Sequence, residues 1–373
     1  MITSPTFALD QLLADLQQLV ECESPSSDQE AVARSADLVA QIGRQRLGAE
    51  PERITVDGCS HLRWRFGDRT DGRVLLLAHH DTVWPVGTLA RHPYDITDGV
   101  LTGPGCFDML AGLVMAMHVI AELPDRDGVT LLVTGDEEIG SPSSRQLIED
   151  EARGCRAALV LEASADGGVL KTARKGTSMY EVVITGRAAH AGLEPHKGIN
   201  ASVEMSHQIL AVLPLGDDAA GTTVTPTAGR SGTTVNTVPA QSSFSIDVRA
   251  WSMAELERVD AAIRALAPVL AGASIEILGG INRPPLEESS SRELFDRASA
   301  LAEKLGLPAL ASTSVGGASD GNFTAGVGTA TLDGLGAVGG GAHAESEHVI
   351  VDRLVDRTVL VHALVAELLG ATA

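Results

Sequence analysis

The sequence predicts an α/β protein with a mixed, largely parallel sheet, interrupted by an inserted α+β domain of ferredoxin-like order. Three observations carry that prediction. Short unbroken apolar runs at residues 74–78, 129–134 and 157–161 read as strands covered on both faces. Each run delivers acidic or imidazole side chains at its carboxyl end: His79-His80-Asp81, Asp136-Glu137-Glu138 and Glu162. Between about residue 175 and residue 283 the pattern changes to half-exposed, alternating strands separated by amphipathic helices. Ligands of open α/β sheets bind at the carboxyl edge of the strands. Residues alternate along a strand, so His79 and Asp81 project to one side and His80 to the other.

The elements follow in order. Leu9, Leu12, Leu13, Leu16 and Val20 recur at helical spacing and predict an amphipathic helix over 6–21. Ser27 with Glu30 is a capping-box signature that opens a second helix through Ile42. Residues 53–66 alternate loosely, as an antiparallel pair at a sheet edge would, and the central strand spans 73–80. A turn-rich segment follows, marked by Gly103-Pro104-Gly105, and then a nearly all-apolar helix over 109–123. A helix at 143–152 separates the second and third buried strands. The insert reads as strands at 180–185, 243–251 and 274–278 with helices at 199–213 and 254–270. Pro284-Pro285 and Ser289-Ser290-Ser291 read as a linker, after which come a helix at 292–305, a Gly-rich stretch at 316–341 and a closing helix at 352–369. The organisation expected is a discontinuous domain, 1–176 with 284–373, interrupted by an insert at 177–283.

Composition narrows the function. The chain has 373 residues, 3% aromatics and a formal net charge of −21, with 49 acidic against 28 basic side chains. A field of that sign repels phosphate backbones and anionic membranes, and there are few rings to stack on bases, so no nucleic acid and no membrane are expected as partners. Cys22, Cys59, Cys106 and Cys155 are scattered and form no CxxC pair, as free thiols in a reducing compartment would be. No basic and apolar leader precedes the first helix, and no uncharged run is long enough to span a bilayer, so the expected location is cytoplasmic.

The chemistry-bearing residues are those at the strand ends, His79, Asp81, Asp108, Glu137, Glu138 and Glu162, joined by His343 from the Gly-rich stretch. Two imidazoles and several carboxylates without a thiolate suit zinc or a similar divalent ion. There are enough of them for two ions that share a bridging carboxylate, about 3.5–4 Å apart, with a hydroxide held between them. Each residue alone has a plainer reading. A buried His is more often a hydrogen-bonded core residue than a ligand, and Asp136-Glu137-Glu138 could be an exposed acidic turn.

Taken together, the motifs resemble a known family closely: HHDTV at 79–83, GPGCFDMLAG at 103–112, TGDEEIGS at 134–141, LEAS at 161–164, RKG at 174–176, AAHAG at 188–192, VNTVPA at 235–240, DVRAW at 247–251, GGASDG at 316–321 and AHAESEHV at 342–349. The chain is similar to the di-zinc aminoacylase, acetylornithine deacetylase and succinyl-diaminopimelate desuccinylase metallopeptidases, and within them to the folate-cleaving bacterial glutamate carboxypeptidases. The resemblance implies a zinc-peptidase catalytic domain with an inserted dimerisation or lid domain. It implies two Zn2+ per subunit, for which Co2+ or Mn2+ can substitute: His79 and Glu162 on one, Glu138 and His343 on the other, Asp108 bridging. Asp81 would orient His79, Glu137 would be the general base, and the Asp108–Met109 peptide would be cis. The insert would dimerise and carry His190 to the partner subunit's site as an oxyanion donor. Asn236, Arg249 and Arg283 would line the substrate pocket, Arg283 gripping a free carboxylate; Arg249 has the alternative of a structural arginine in its strand. The chain departs from the family pattern at Leu110, where relatives carry Lys, and at His80, where they carry an apolar residue. Cys106 reads as a small packing residue, with a soft third ligand as the alternative. The activity implied is release of a C-terminal amino acid such as glutamate from a small peptide or N-acyl amino acid by a homodimer. The alternatives are an N-acyl-amino-acid deacylase and, in another class, a non-catalytic metal-dependent binding protein.

Overall fold

A computed structural model describes residues 7–370, which form two compact units. The first comprises residues up to Ala173, Leu286–Val315 and Ser319 onward; the second comprises Arg174–Pro285 with Gly316–Ala318.

The first unit is built on a six-stranded mixed sheet in the order Glu52–Val56, Cys59–Arg65, Val129–Thr134, Arg73–His79, Cys155–Val160, Thr331–Leu332. The last four strands run parallel, and Cys59–Arg65 pairs antiparallel with Val129–Thr134. The edge pair Glu52–Val56 and Cys59–Arg65 is antiparallel, as the alternation predicts. Successive residues of the central strand enter different cores. Val74, Leu76 and Ala78 join the large cluster with the helix Ala111–Glu122, whereas Leu75 and Leu77 pack with Leu132, Ile148 and Phe323 on the opposite face. A strand buried on both faces has no polar alternation to show, hence the unbroken run. Each such leucine contributes about 1.5–3 kcal/mol by leaving water. Parallel register places His79 beside Thr134, so the ends of neighbouring strands open on one edge.

The second unit is a four-stranded antiparallel sheet, ordered Thr223–Ser231, Gln241–Ala250, Gly176–Thr185, Ser274–Arg283, with helices Ala201–Val212 and Met253–Arg264 packed on a core that includes Val182, Ile184, Phe244, Ile246 and Leu256. This is the ferredoxin-like strand order.

Several boundaries differ from the sequence expectation. The first helix runs Leu9–Glu21; residue 6, where it was expected to start, lies outside the described residues. The second helix, Gln29–Leu47, is capped by Asp28 rather than by a Ser27 box, the Asp28 carboxylate accepting from the Glu30 and Ala31 amides. It continues through Gly43, a glycine because a Cβ there would meet the Trp64 ring at 2.3 Å. The presumed linker Ser289-Ser290-Ser291 lies inside the helix Glu288–Leu305, whose first turn tolerates serines. The Gly-rich stretch hides the helix Gly321–Gly326 and the sixth strand, Thr331–Leu332. In the insert, Thr223–Ser231 was missed because it is an exposed edge strand with Pro226 and a register shift between Pro226 and Gly229. Met253–Arg264 stops short of residue 270 because Pro268 ends helical geometry ahead of it. Among the described residues no helix is long and apolar enough to cross a membrane.

Candidate metal centre

Seven residues singled out from the sequence converge at the sheet edge of the first unit. His79 is the last residue of its strand and 1% exposed. Its Nδ1 lies 2.9 Å from the main-chain carbonyl of Asp81, so Nδ1 donates there and Nε2 is the nitrogen left to face the site. Nε2 faces Glu162 Oε1 at 3.5 Å and Asp108 Oδ1 at 3.7 Å. On the other side of Asp108, His343 Nε2 stands 3.4 Å from Asp108 Oδ2 and 3.1 Å from Glu138 Oε2. Asp108 thus sits between the two imidazoles. The Asp108–Met109 peptide is cis, as the resemblance implies.

Glu137 and Glu138 occupy a single 3-10 turn, Glu137–Ile139, rather than a strand. Both carboxylates therefore reach the cluster: His79 groups with Asp108 and Glu138, and again with Glu137 and Glu162, with donor atoms within 4.8 Å of one another. The acidic segment is not an exposed turn, since Asp136 and Glu137 are 2% and 7% exposed. Asp81 anchors this turn. Its Oδ1 and Oδ2 accept from the Glu137 and Glu138 amides at 3.2 Å, and Oδ2 accepts from Ser26 Oγ at 2.6 Å, while Oδ1 lies 3.4 Å from His79 Nδ1. Asp136 faces away and accepts from the amides of Ser143 and Ser144, just ahead of the helix Arg145–Ala152. Gly112, at the start of the helix after Asp108, allows that helix to close on the carbonyl of Leu161, which a Cβ would meet at 1.9 Å.

The donors fit divalent cations. His79 Nε2 and Glu138 Oε1 are buried without a hydrogen-bond partner among the described residues, an arrangement costly for any other purpose. The crowding of carboxylates around the two imidazoles shifts their protonation. The Asp108 and Glu138 carboxylates push His343 up to about 10, and burial raises Glu138 to about 7. Burial opposes charge on both His79 and Asp108, yet the carboxylates facing His79 raise it and the imidazoles of His343 and His79 hold Asp108 down. Cations would take over the role of those protons. His80 points elsewhere, its ring between Ser35 Oγ and the Ser60 carbonyl at 3.1 Å each, and burial lowers it to about 4.

A third group of possible ligands, Cys59, His61 and Asp136, is saturated. His61 contacts Ser143 Oγ at 3.0 Å and accepts from the Gly135 amide, Asp136 is taken by the two serines, and burial pushes the Cys59 thiol up to about 12. Cys106 is wholly buried beside Leu101 and takes no part in the ligand groups. Leu110 is also buried, 1% exposed.

The remaining four sequence candidates lie in the second unit. His190 lies in a two-stranded ribbon, Ala189–His190 with Thr237–Val238, and Asn236 just precedes its second strand, the Ala191 amide donating to the Asn236 carbonyl at 2.9 Å. His190 Nδ1 accepts from the Gly192 and Leu193 amides at 3.1 Å each, which leaves the proton on Nε2. Arg249 and Arg283 flank Thr177 on one rung of the sheet. Asp247 engages the Arg249 guanidinium at 2.9–3.2 Å, whereas Arg283 is 7% exposed at its strand's end. Two buried carboxylates escaped the sequence reading although both fall in the quoted motifs. Asp320 accepts from Thr134 Oγ1 at 3.1 Å and from Ser141, bracing the turn between them. Glu347 follows His343 by four residues and is 0% exposed.

Comparison with known proteins finds similarity along most of the chain. A family profile described as peptidase family M20/M25/M40 matches residues 75–367. Carboxypeptidase G2 of Pseudomonas sp. (strain RS-16) is 28% identical over 373 residues, covering 96% of this chain and 89% of its own. Succinyl-diaminopimelate desuccinylase of Thioalkalivibrio sulfidiphilus is 27% identical over 358 residues, covering 87% and 93%. Among solved structures, an M20 family metallo-carboxypeptidase from Sulfolobus solfataricus superposes with a TM-score of 0.76 at 16% identity, covering 95% of this chain and 98% of its own.

Proposed function

The chain belongs to peptidase family M20/M25/M40, metal-dependent hydrolases of amide bonds, and on that premise we propose that it releases a C-terminal amino acid, glutamate foremost, from a small peptide or N-acyl amino acid. The observation that carries the reading is the convergence of His79, Asp108, Glu138, Glu162 and His343, with Asp108 between the imidazoles and a partnerless nitrogen on His79. These five residues would hold two cations, zinc in the first instance, with Asp108 shared. Such ions, when bound, supply Lewis acidity toward the scissile carbonyl and make a water acidic enough to attack it near neutral pH.

The chain's own groups complete the reaction. Glu137 accepts the water's proton at its carboxylate and returns it to the leaving amine. Its presence favours an enzyme over a non-catalytic binding protein, which would need ligands but no base. His190, with its proton on Nε2, is suited to donate to the developing oxyanion. Arg283 offers a planar fork for the free carboxylate that a carboxypeptidase substrate carries. The edge strand Thr223–Ser231 and the exposed Val203, Leu210 and Leu213 of the insert would pair two copies isologously, as a homodimer.

The similarity to a desuccinylase supports a second reading, N-acyl-amino-acid deacylation, which uses the same groups. A hydrolysis screen with zinc, cobalt and manganese in turn, over N-acyl amino acids, dipeptides and folate-type glutamyl amides, separates them. Preferred release of glutamate from varied acyl partners supports the carboxypeptidase; one preferred acyl group on varied amines transfers the case to the deacylase.

A further inference from the structure

The loop that presents Asp108 has no regular structure to hold it. Asp108 sits at φ −115°, ψ 96° inside the turn Cys106–Leu110, and backbone amides there need partners from elsewhere. Glu347 supplies them. Its Oε1 accepts from the Phe107 and Asp108 amides, both at 3.0 Å, and its Oε2 accepts from the Gly105 amide at 3.0 Å and from Trp84 Nε1 at 2.7 Å. The carboxylate is thereby filled by four donors, the full capacity of its two oxygens.

The residue is itself fixed close to His343. The intervening loop is closed by the Ala344 amide on the Gly341 carbonyl at 2.9 Å and the Glu347 amide on the Ala344 carbonyl at 2.8 Å. The next residues, His348–Ile350, pair with Val100–Thr102 just ahead of the Asp108 turn. One carboxylate therefore joins the two loops whose side chains meet as Asp108 and His343.

We propose that Glu347 is the positioning residue for Asp108, clamping the 105–108 backbone to the His343 loop so that the Asp108 oxygens stay between His79 and His343. This rests on the reading of the cluster as a two-cation centre. Glutamine in its place has the same shape but turns an NH2 toward two donors whichever way it lies. It cannot satisfy more than half of the set.

The test is a titration of metal-free protein with Co2+, followed by calorimetry and by the visible spectrum, together with amide exchange at Phe107 and Asp108. Wild type should take two ions. Glu347→Gln should bind at least one of them about ten- to hundredfold more weakly, with an altered spectrum, and should exchange both amides faster before any metal is added. Glu347→Asp, which keeps four acceptor sites, should recover part of the affinity. An isotherm and spectrum for Glu347→Gln identical to wild type would overturn the proposal and leave the two-cation reading standing. Failure of wild type to take a pair of ions would overturn both. If Glu347→Gln does not fold, Trp84→Phe removes one donor from Oε2; a few-fold weaker cobalt site supports the clamp, and an unchanged one overturns it.

Discussion

Replacing Glu137 by glutamine separates proton transfer from every other property of the centre. The side chain is 7% exposed, and its turn is held through the main chain, the Glu137 amide donating to Asp81 at 3.2 Å. Glutamine keeps the volume and the turn, so positions of the five proposed ligands should not change. What is lost is a group that takes a proton in one step and gives it back in the next. General acid–base catalysis contributes about 10²- to 10⁴-fold, or roughly 2.7–5.4 kcal/mol of barrier at about 1.36 kcal/mol per decade. Because one residue serves both transfers, kcat should fall toward the upper end with little change in KM. The variant also removes one negative charge from a crowd of carboxylates, so the metal-free protein should unfold no earlier than wild type. The assay is kcat and KM on a glutamyl amide, with zinc content measured on the same sample. Loss below tenfold at full metal content would show that another group is the base. Loss of metal would instead make Glu137 a ligand, an alternative its grouping with His79 and Glu162 allows.

Three further outcomes are expected. Stripping divalent ions with a chelator should lower the melting temperature, and zinc restored to about a hundred times its Kd should return about 2.7 kcal/mol of stability; a melting curve indifferent to chelator and zinc argues against a resident cation. Mixing inactive His190→Ala and Glu137→Gln chains should restore activity if His190 serves the partner subunit's site, because one site per mixed dimer then keeps both groups, and no recovery means His190 acts within its own chain. Asp15, buried between His118 Nε2 at 2.8 Å and Arg46 at 2.6 and 3.0 Å, is held below the usual carboxylate range because those bonds outweigh burial. Its stabilisation is present above about pH 4 and lost below it, so Asp15→Asn should cost about 1–3 kcal/mol at pH 7 and progressively less toward pH 3; a pH-independent difference refutes the assignment.

The parts of the fold that sequence patterning exposed are those in which burial and element type agree. The central strand could be read because Val74 through Ala78 are apolar without interruption, and the structure shows why: alternate residues enter different cores. Patterning failed where a residue serves a neighbour rather than its own element. Gly43 reads as a helix end but makes room for Trp64, and Gly279-Gly280 reads as a strand end although Ser274–Arg283 runs through it. Thr223–Ser231 is exposed along most of its length, so no hydrophobic period marks it.

The same distinction separates the legible from the illegible parts of the site. His79 ends a buried strand, and Glu137, Glu138 and Glu162 lie within four residues of the ends of two others; parallel register brings the ends of such strands to one edge, so their meeting is nearly a consequence of the sheet. Asp108 and His343 have no such guarantee. They come from loops separated by most of the chain, Asp108 from the turn Cys106–Leu110 rather than from a strand end, and only their residue type marked them as candidates before the motif resemblance gave them roles. Chain geometry alone would let either loop drift by more than the few tenths of an ångström that ligation allows. The structure answers with buried carboxylates that are not ligands: Asp81 on the Glu137–Glu138 turn, Asp320 on Thr134 and Ser141, and Glu347 on the Asp108 loop. Each binds main-chain, hydroxyl or indole donors, so its partners leave no mark in the spacing of charged residues. In this cluster three carboxylates (Asp81, Asp320 and Glu347) hold backbone or hydroxyl groups and three (Asp108, Glu138 and Glu162) face the proposed ions, and in a sequence the two kinds look alike.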